Sequence, residues 1–207
     1  MVQCIRAASW YATSFRPLSR CMGAAVAISL AFAAASPGSA ADEATLWEAL
    51  RSGTHVALLR HAVAPGTGDP ANFALDDCGT QRNLSEEGRT QAARIGARFR
   101  ENGIATARIF SSQWCRCLET ARLLEIGQVE ELPLLNSFFA DSDRRGPQTE
   151  GLKRWLAGQE KKAPLVLVTH QVNITALTGI HPGSGEMVVI RRPETGEIEV
   201  AGTIAAD

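Results

Sequence analysis

Three stretches of this 207-residue chain end an apolar run in side chains with chemistry of their own. HVALLRHA closes on Arg60 and His61. ARIFSSQWCRC closes on Ser111 and Ser112, with Arg116 a turn later, and PLVLVTHQ closes on Thr169 and His170. A buried strand gains nothing from a guanidinium or an imidazole, so these groups either surface where the strands end or are held there for a purpose. A lone strand-end histidine is usually a capped structural residue; two, as a pair beside Arg60 and Arg116, suggest a site. Neutral imidazole is a nucleophile and proton carrier near neutral pH, and arginine presents a planar fork of donors that matches the oxygens of a phosphate. Together they could hold an anion beside a nucleophile or proton carrier.

The elements between these stretches must bring them to one place. HVALLRH, ARIFSS and PLVLVTH are apolar without polar alternation, the pattern of strands covered on both faces of a parallel sheet. Helices are expected over ATLWEALRSG (44–53), LSEEGRTQAARIGARFRENG (84–103), QWCRCLETARLLE (113–125), QTEGLKRWLAGQEK (148–161) and from Gln171. Ser85 is placed as an N-cap, with Glu86 and Glu87 in the first turn. QVEELPLL (128–135) reads as a third strand, and the tail as two strands about a Pro193–Gly196 turn. Alternating strands and helices predict a three-layer α/β/α sandwich with a mainly parallel sheet, which binds ligands beyond the carboxyl ends of its strands. That edge is where Arg60, His61, Ser112, Arg116 and His170 fall. Two segments, 64–83 and 136–147, have no period and are rich in turn formers.

Residues 1–41 differ from the rest. Arg6, Arg16 and Arg20 precede an apolar stretch from Met22 to Ala35, and SPGSAAD follows. This is the order of a secretory signal peptide, with cleavage expected after Ala40 or Ala41 and a periplasmic or secreted product. The stretch is shorter than the roughly 20 residues of a membrane-spanning helix, so no stable membrane anchor is expected. The expected single domain, 42–207, then has 18 basic and 22 acidic residues, a net charge of −4. With no basic stripe, nucleic acid is an unsuitable partner. Cys78, Cys115 and Cys117 remain for an oxidising compartment; Cys-x-Cys lacks zinc spacing, and a disulfide from Cys78 to Cys115 or Cys117 would pin the long 64–83 segment.

Four motifs in order carry a resemblance: LLRHA, NLSEEGRTQA, SSQWCRCLETA and LVTHQ, spanning Leu58 to Gln171. With them the chain resembles the histidine phosphatase superfamily, its phosphoglycerate-mutase-like branch, and within it small secreted bacterial phosphatases. The resemblance implies that fold, a phosphoric monoester hydrolase acting on small phosphomonoesters through a phosphohistidine, and no metal or cofactor. It assigns His61 as nucleophile, Arg60 and Arg116 as the phosphate clamp, and His170 as the second pocket histidine. Two other readings are a phosphatase dedicated to phosphorylated cell-envelope sugars and a non-catalytic phosphate-binding module.

The departures are specific. Ala62 replaces the motif glycine, Gln171 a frequent glycine, and Gly66-Thr67 stands where a phosphate-contacting asparagine is common. The general acid of the mutase-like branch is a glutamate after a Leu-Asn pair, and this chain reads Leu135-Asn136-Ser137. Asp141, in the segment that follows, is the expected proton donor, with Asp143, Glu131 and His170 next. Arg82, Arg144 and Arg145 are expected to face solvent, with the alternative that any of them reaches a substrate from the two irregular segments, and His55 and His181 are expected to be structural or surface residues.

Overall fold

The run HVALLR lacks polar alternation because both of its faces are covered. In the computed structural model, which describes residues 42–193 and 197–206, it forms β1 (His55–Arg60). Ala57 and Leu59 face one core cluster, with Leu46, Ile95, Phe99 and Ala121, while Val56 and Leu58 face another, with Leu152, Leu156, Ile174 and Leu177. The first cluster gathers α1 (Glu43–Arg51), α2 (Glu86–Glu101) and α3 (Cys115–Leu123); the second gathers α4 (Arg145–Ala157) and α5 (Gln171–Thr178). Three layers result, as the pattern of apolar runs predicts.

The remaining strands are β2 (Arg108–Ser111), β3 (Val129–Glu131), β4 (Leu165–Thr169), β5 (Met187–Arg191) and β6 (Val200–Ile204). The sheet order is β3-β2-β4-β1-β5-β6, parallel from β3 to β1 and antiparallel for β5 and β6. Pairing of Arg60 with Thr169 and of Ser111 with Val168 sets the carboxyl ends of β1, β4 and β2 side by side. Helices leave β1 and β4 toward opposite faces, and a crevice opens there, the usual ligand position in such sheets.

Three boundaries differ from expectation. The stretch 128–135 is a strand for three residues only; Pro133, which has no N–H for a ladder, starts a 3-10 turn (Pro133–Leu135). The third helix begins at Cys115 rather than 113, with Trp114 at its N-cap. α4 begins at Arg145 and stops at Gly158, so the second irregular segment ends earlier than the sequence suggested. The proposed signal peptide and Glu194, Thr195 and Gly196 of the tail turn lie outside the described residues. Among those described, no helix is long and apolar enough to cross a membrane.

Candidate active site

The backbone leaving β1 is fixed at three successive residues. His61 N–H donates to the Thr169 carbonyl (2.9 Å), Ala62 N–H to Thr120 Oγ1 on α3 (3.1 Å), and Val63 N–H to Gln91 Oε1 on α2 (3.0 Å). Gly88 completes the fit, because any Cβ there would collide with the Val63 carbonyl. The threonine, glutamine and glycine of the two helical motifs are thus positioning groups for the strand end that bears His61. Ala62 sits there without strain: among the described non-glycine residues only Glu125 has positive φ.

His61 and His170 are buried, with ring centroids 5.5 Å apart. His61 Nδ1 lies 2.8 Å from the Ala62 carbonyl, which can only accept, so Nδ1 carries the hydrogen and Nε2 is left as a free base. Burial pushes its pKa down to about 3; the Ala62 carbonyl opposes this, and Arg116, Arg82 and Arg60 add to it. The imidazole is therefore uncharged at neutral pH and available as a nucleophile. His170 is likewise held well below the usual histidine range, by burial first and then by His61 and the arginines. Its Nε2 meets Ser112 Oγ (2.9 Å), which donates to Asn136 Oδ1 (3.2 Å), and its Nδ1 lies 3.5 Å from Arg116 Nη2. A single tautomer satisfies the chain: His170 donates from Nε2 and accepts at Nδ1.

Both histidines line a cavity of about 210 Å³ with Arg60, Arg82, Arg116 and Asp69. Residues 66–68, Ser137, Phe139, Gln171 and Val172 complete its walls. A larger hollow of about 710 Å³ beside the disulfide contains neither histidine and none of these arginines, so chemistry and not size marks the smaller one. Arg60 commits one terminal nitrogen to the Pro182 carbonyl (2.9 Å). Arg82 does not face solvent but turns inward, the alternative open to it from the first irregular segment. Its side chain donates to the carbonyls of Gly68 and Ala64, and burial and Arg116 lower its pKa. Three guanidiniums therefore share one small cavity, a setting for a phosphate dianion.

Asp69, which the sequence reading did not single out, is the one acid in that lining. It pairs with Arg116 through both oxygens and accepts from Trp114 Nε1 (3.0 Å) and Arg82 N–H (3.1 Å). Burial pushes its pKa up, but hydrogen bonds from Arg116 and Trp114 outweigh that and hold it below the usual carboxylate range. The signals for both residues were weak: an arginine just ahead of a helix N-cap, and an aspartate in GTGDP.

The structure does not bring Asp141 to the histidines. It is exposed, caps no helix with its side chain, and lines a separate hollow with Asp143, Pro133 and Gln148. The cause is local: after the turn at Pro133 the chain is drawn down by Thr169 and Asn173, which donate to the Leu135 carbonyl (2.7 and 2.8 Å), and residues 139–147 run outward from there. Ser137 does line the cavity where the mutase-like glutamate would stand. Of the two pairings open to Cys78, the structure has Cys115, leaving Cys117 a buried thiol that burial raises to about 12, 3.5 Å from His170 Nε2. Arg144 and Arg145 are exposed, as is His181.

The sequence model of the histidine phosphatase superfamily (branch 1) matches residues 56–138, from β1 through the turn after β3. Solved structures agree on the fold. The protein histidine phosphatase SixA complexed with tungstate is 16% identical, with a TM-score of 0.53 over 73% of this chain and 97% of that one. A phosphoserine phosphatase mutant from Entamoeba histolytica, in complex with phosphoserine, is 12% identical, with a TM-score of 0.53 over 74% of this chain and 98% of that one. No curated protein matches the chain. The fold is the phosphoglycerate-mutase-like histidine phosphatase fold, as the four motifs implied.

Proposed function

We propose that this protein is a phosphomonoesterase that works through a phosphohistidine at His61. One observation carries the reading: His61 presents an uncharged Nε2, fixed by the Nδ1–H bond to its own chain, into a small cavity shared by three guanidiniums. In the first step Nε2 attacks phosphorus, an N–P bond forms, and the ester P–O bond breaks with the alcohol taking up a proton. In the second, water attacks the same phosphorus, the N–P bond breaks, and inorganic phosphate and a proton leave. Arg60, Arg82 and Arg116 stabilise charge on the equatorial oxygens in both steps. His170, uncharged and oriented by Ser112, lies beside His61 as the second imidazole.

The size of the cavity favours a small ester, since a phosphoryl group and a few further atoms fill about 210 Å³. We assign the activity to domain 42–207 and place it in the periplasm or outside the cell, on the strength of the basic, apolar and small-residue order of residues 1–41. The related fold of SixA, a protein histidine phosphatase, supports phosphatase chemistry. Acid-labile, base-stable phosphate should appear on the protein within milliseconds of mixing with a labelled phosphomonoester, and peptide mapping should place it on His61. Undiminished turnover in His61→Ala, folded by circular dichroism, would end the proposal.

A further inference from the structure

Arg116 has five N–H donors, and the protein already engages every one that a ligand could reach. Nη1 donates to Asp69 Oδ1 at 2.6 Å and to the Arg82 carbonyl at 3.1 Å. Nη2 donates to Asp69 Oδ2 at 3.2 Å and faces His170 Nδ1 at 3.5 Å. These contacts use all four terminal hydrogens. The fifth, on Nε, is buried and has no partner, in a side chain only 3% exposed. A phosphate gripped by Arg116 must therefore take the guanidinium edge that Asp69 holds.

Asp69 is a strong competitor for that edge. Besides the paired bonds to Arg116 it accepts from the Trp114 indole and the Arg82 backbone, so one negative charge is met by four hydrogen bonds. It also stands at the cavity wall, on the run from Gly66 that lines the space beside His61. At equal distance an ion of charge −2 is attracted to a guanidinium twice as strongly as one of charge −1. Like charges cannot share the fork cheaply, so exchange follows the difference in charge.

We propose, resting on the phosphatase reading, that Asp69 is a specificity-determining residue that sets the charge the pocket accepts. A phosphomonoester dianion displaces the carboxylate from Arg116. A monoanion of the same shape, such as a sulfate monoester or a phosphodiester, meets a competitor of equal charge that is already bound. The pocket thus selects monoesters by charge as well as by size, and Asp69 contributes selectivity at some cost in affinity.

The test uses two probes of one shape, phenylphosphonate and benzenesulfonate, titrated calorimetrically at a pH where the first carries two charges and the second one. Wild-type protein should bind the phosphonate and largely exclude the sulfonate. Asp69→Asn keeps the size and an acceptor oxygen but loses the charge; in it the sulfonate should tighten by roughly tenfold, the change that about 1.4 kcal/mol produces, and the gap between probes should narrow. Asp69→Glu retains the charge and should retain the exclusion. Weaker binding of both probes by a folded Asp69→Asn would overturn the proposal, because Asp69 would then hold Arg116 in the posture that ligands need. So would unchanged affinities, or loss of exclusion in Asp69→Glu. If neither probe binds wild-type protein, the cavity is not an anion site and the phosphatase reading falls too; tight binding of both sinks the charge rule alone.

Discussion

Two irregular segments border the sheet edge, and they meet different fates. Residues 64–83 enter the site; residues 137–144 mostly do not. The first is long but anchored inside the fold. The Cys78–Cys115 disulfide ties it to α3, and Gln81 donates to the Ala74 and Leu75 carbonyls (both 3.0 Å) while accepting from Cys115 N–H (2.9 Å). Asp69 and Arg82 hold each other and Arg116. The second segment is shorter and has fewer anchors: Phe139 is 58% exposed, and the Asp141 side chain has no capping bond. A polar loop residue joins a site where the core offers it partners. Where it is offered none, water is the better solvent for a carboxylate.

That contrast can be broken most sharply at Arg82. Arg82→Ala should reduce kcat/KM for a phosphomonoester by about 10²- to 10³-fold, the usual loss for one preorganised donor, while Arg144→Ala from the second segment leaves it within about twofold. Equal effects would dissolve the distinction between the loops, and a lowered melting temperature in step with activity would assign Arg82 to folding instead.

Next in size is the anchor itself. The disulfide closes a span of 37 residues, so Cys78→Ser should cost about 4 kcal/mol in urea unfolding on the chain-entropy account, and KM should rise as the loop bearing Asp69 and Arg82 loosens. If stability falls with KM unchanged, the hydrogen bonds of Gln81 and Arg82 suffice to hold the site.

The smallest effect is expected at Asp141. A general acid matters for alkyl esters and little for nitrophenyl esters; from its separate hollow Asp141 should matter for neither, and Asp141→Asn should leave both substrates within about twofold of wild type. A selective tenfold loss on alkyl phosphates would mean that the second segment folds over the cavity and would erase the difference between the loops.

Much of this site was legible as sequence because strand ends and helix starts are local events. Apolar runs without alternation gave β1, β2 and β4, their closing residues gave Arg60, His61, Ser112 and His170, and Ser85 does cap α2, its hydroxyl accepting from Gly88 N–H (3.1 Å). The reason is physical: burial on both faces leaves a strand only its end at which to present an ion. Two-sided burial also fixed the layer count.

What only the tertiary structure decided lies in the loops and in the pairing of charges. No period marks Arg82 as inward, since its direction follows from the Gly68 and Ala64 carbonyls, which the loop's own folding creates. Nothing in GTGDP couples Asp69 to Arg116, 47 residues on. The choice of Cys115 over Cys117 is likewise one of helix rotation: adjacent positions but one point to different sides of α3, and Cys117 turns into the core against His170 while Cys115 faces the loop. Asp141 is the converse case. Its distance along the chain from Asn136 allowed a role at the pocket, but the hydrogen bonds that hold Leu135 and the early start of α4 send it to solvent.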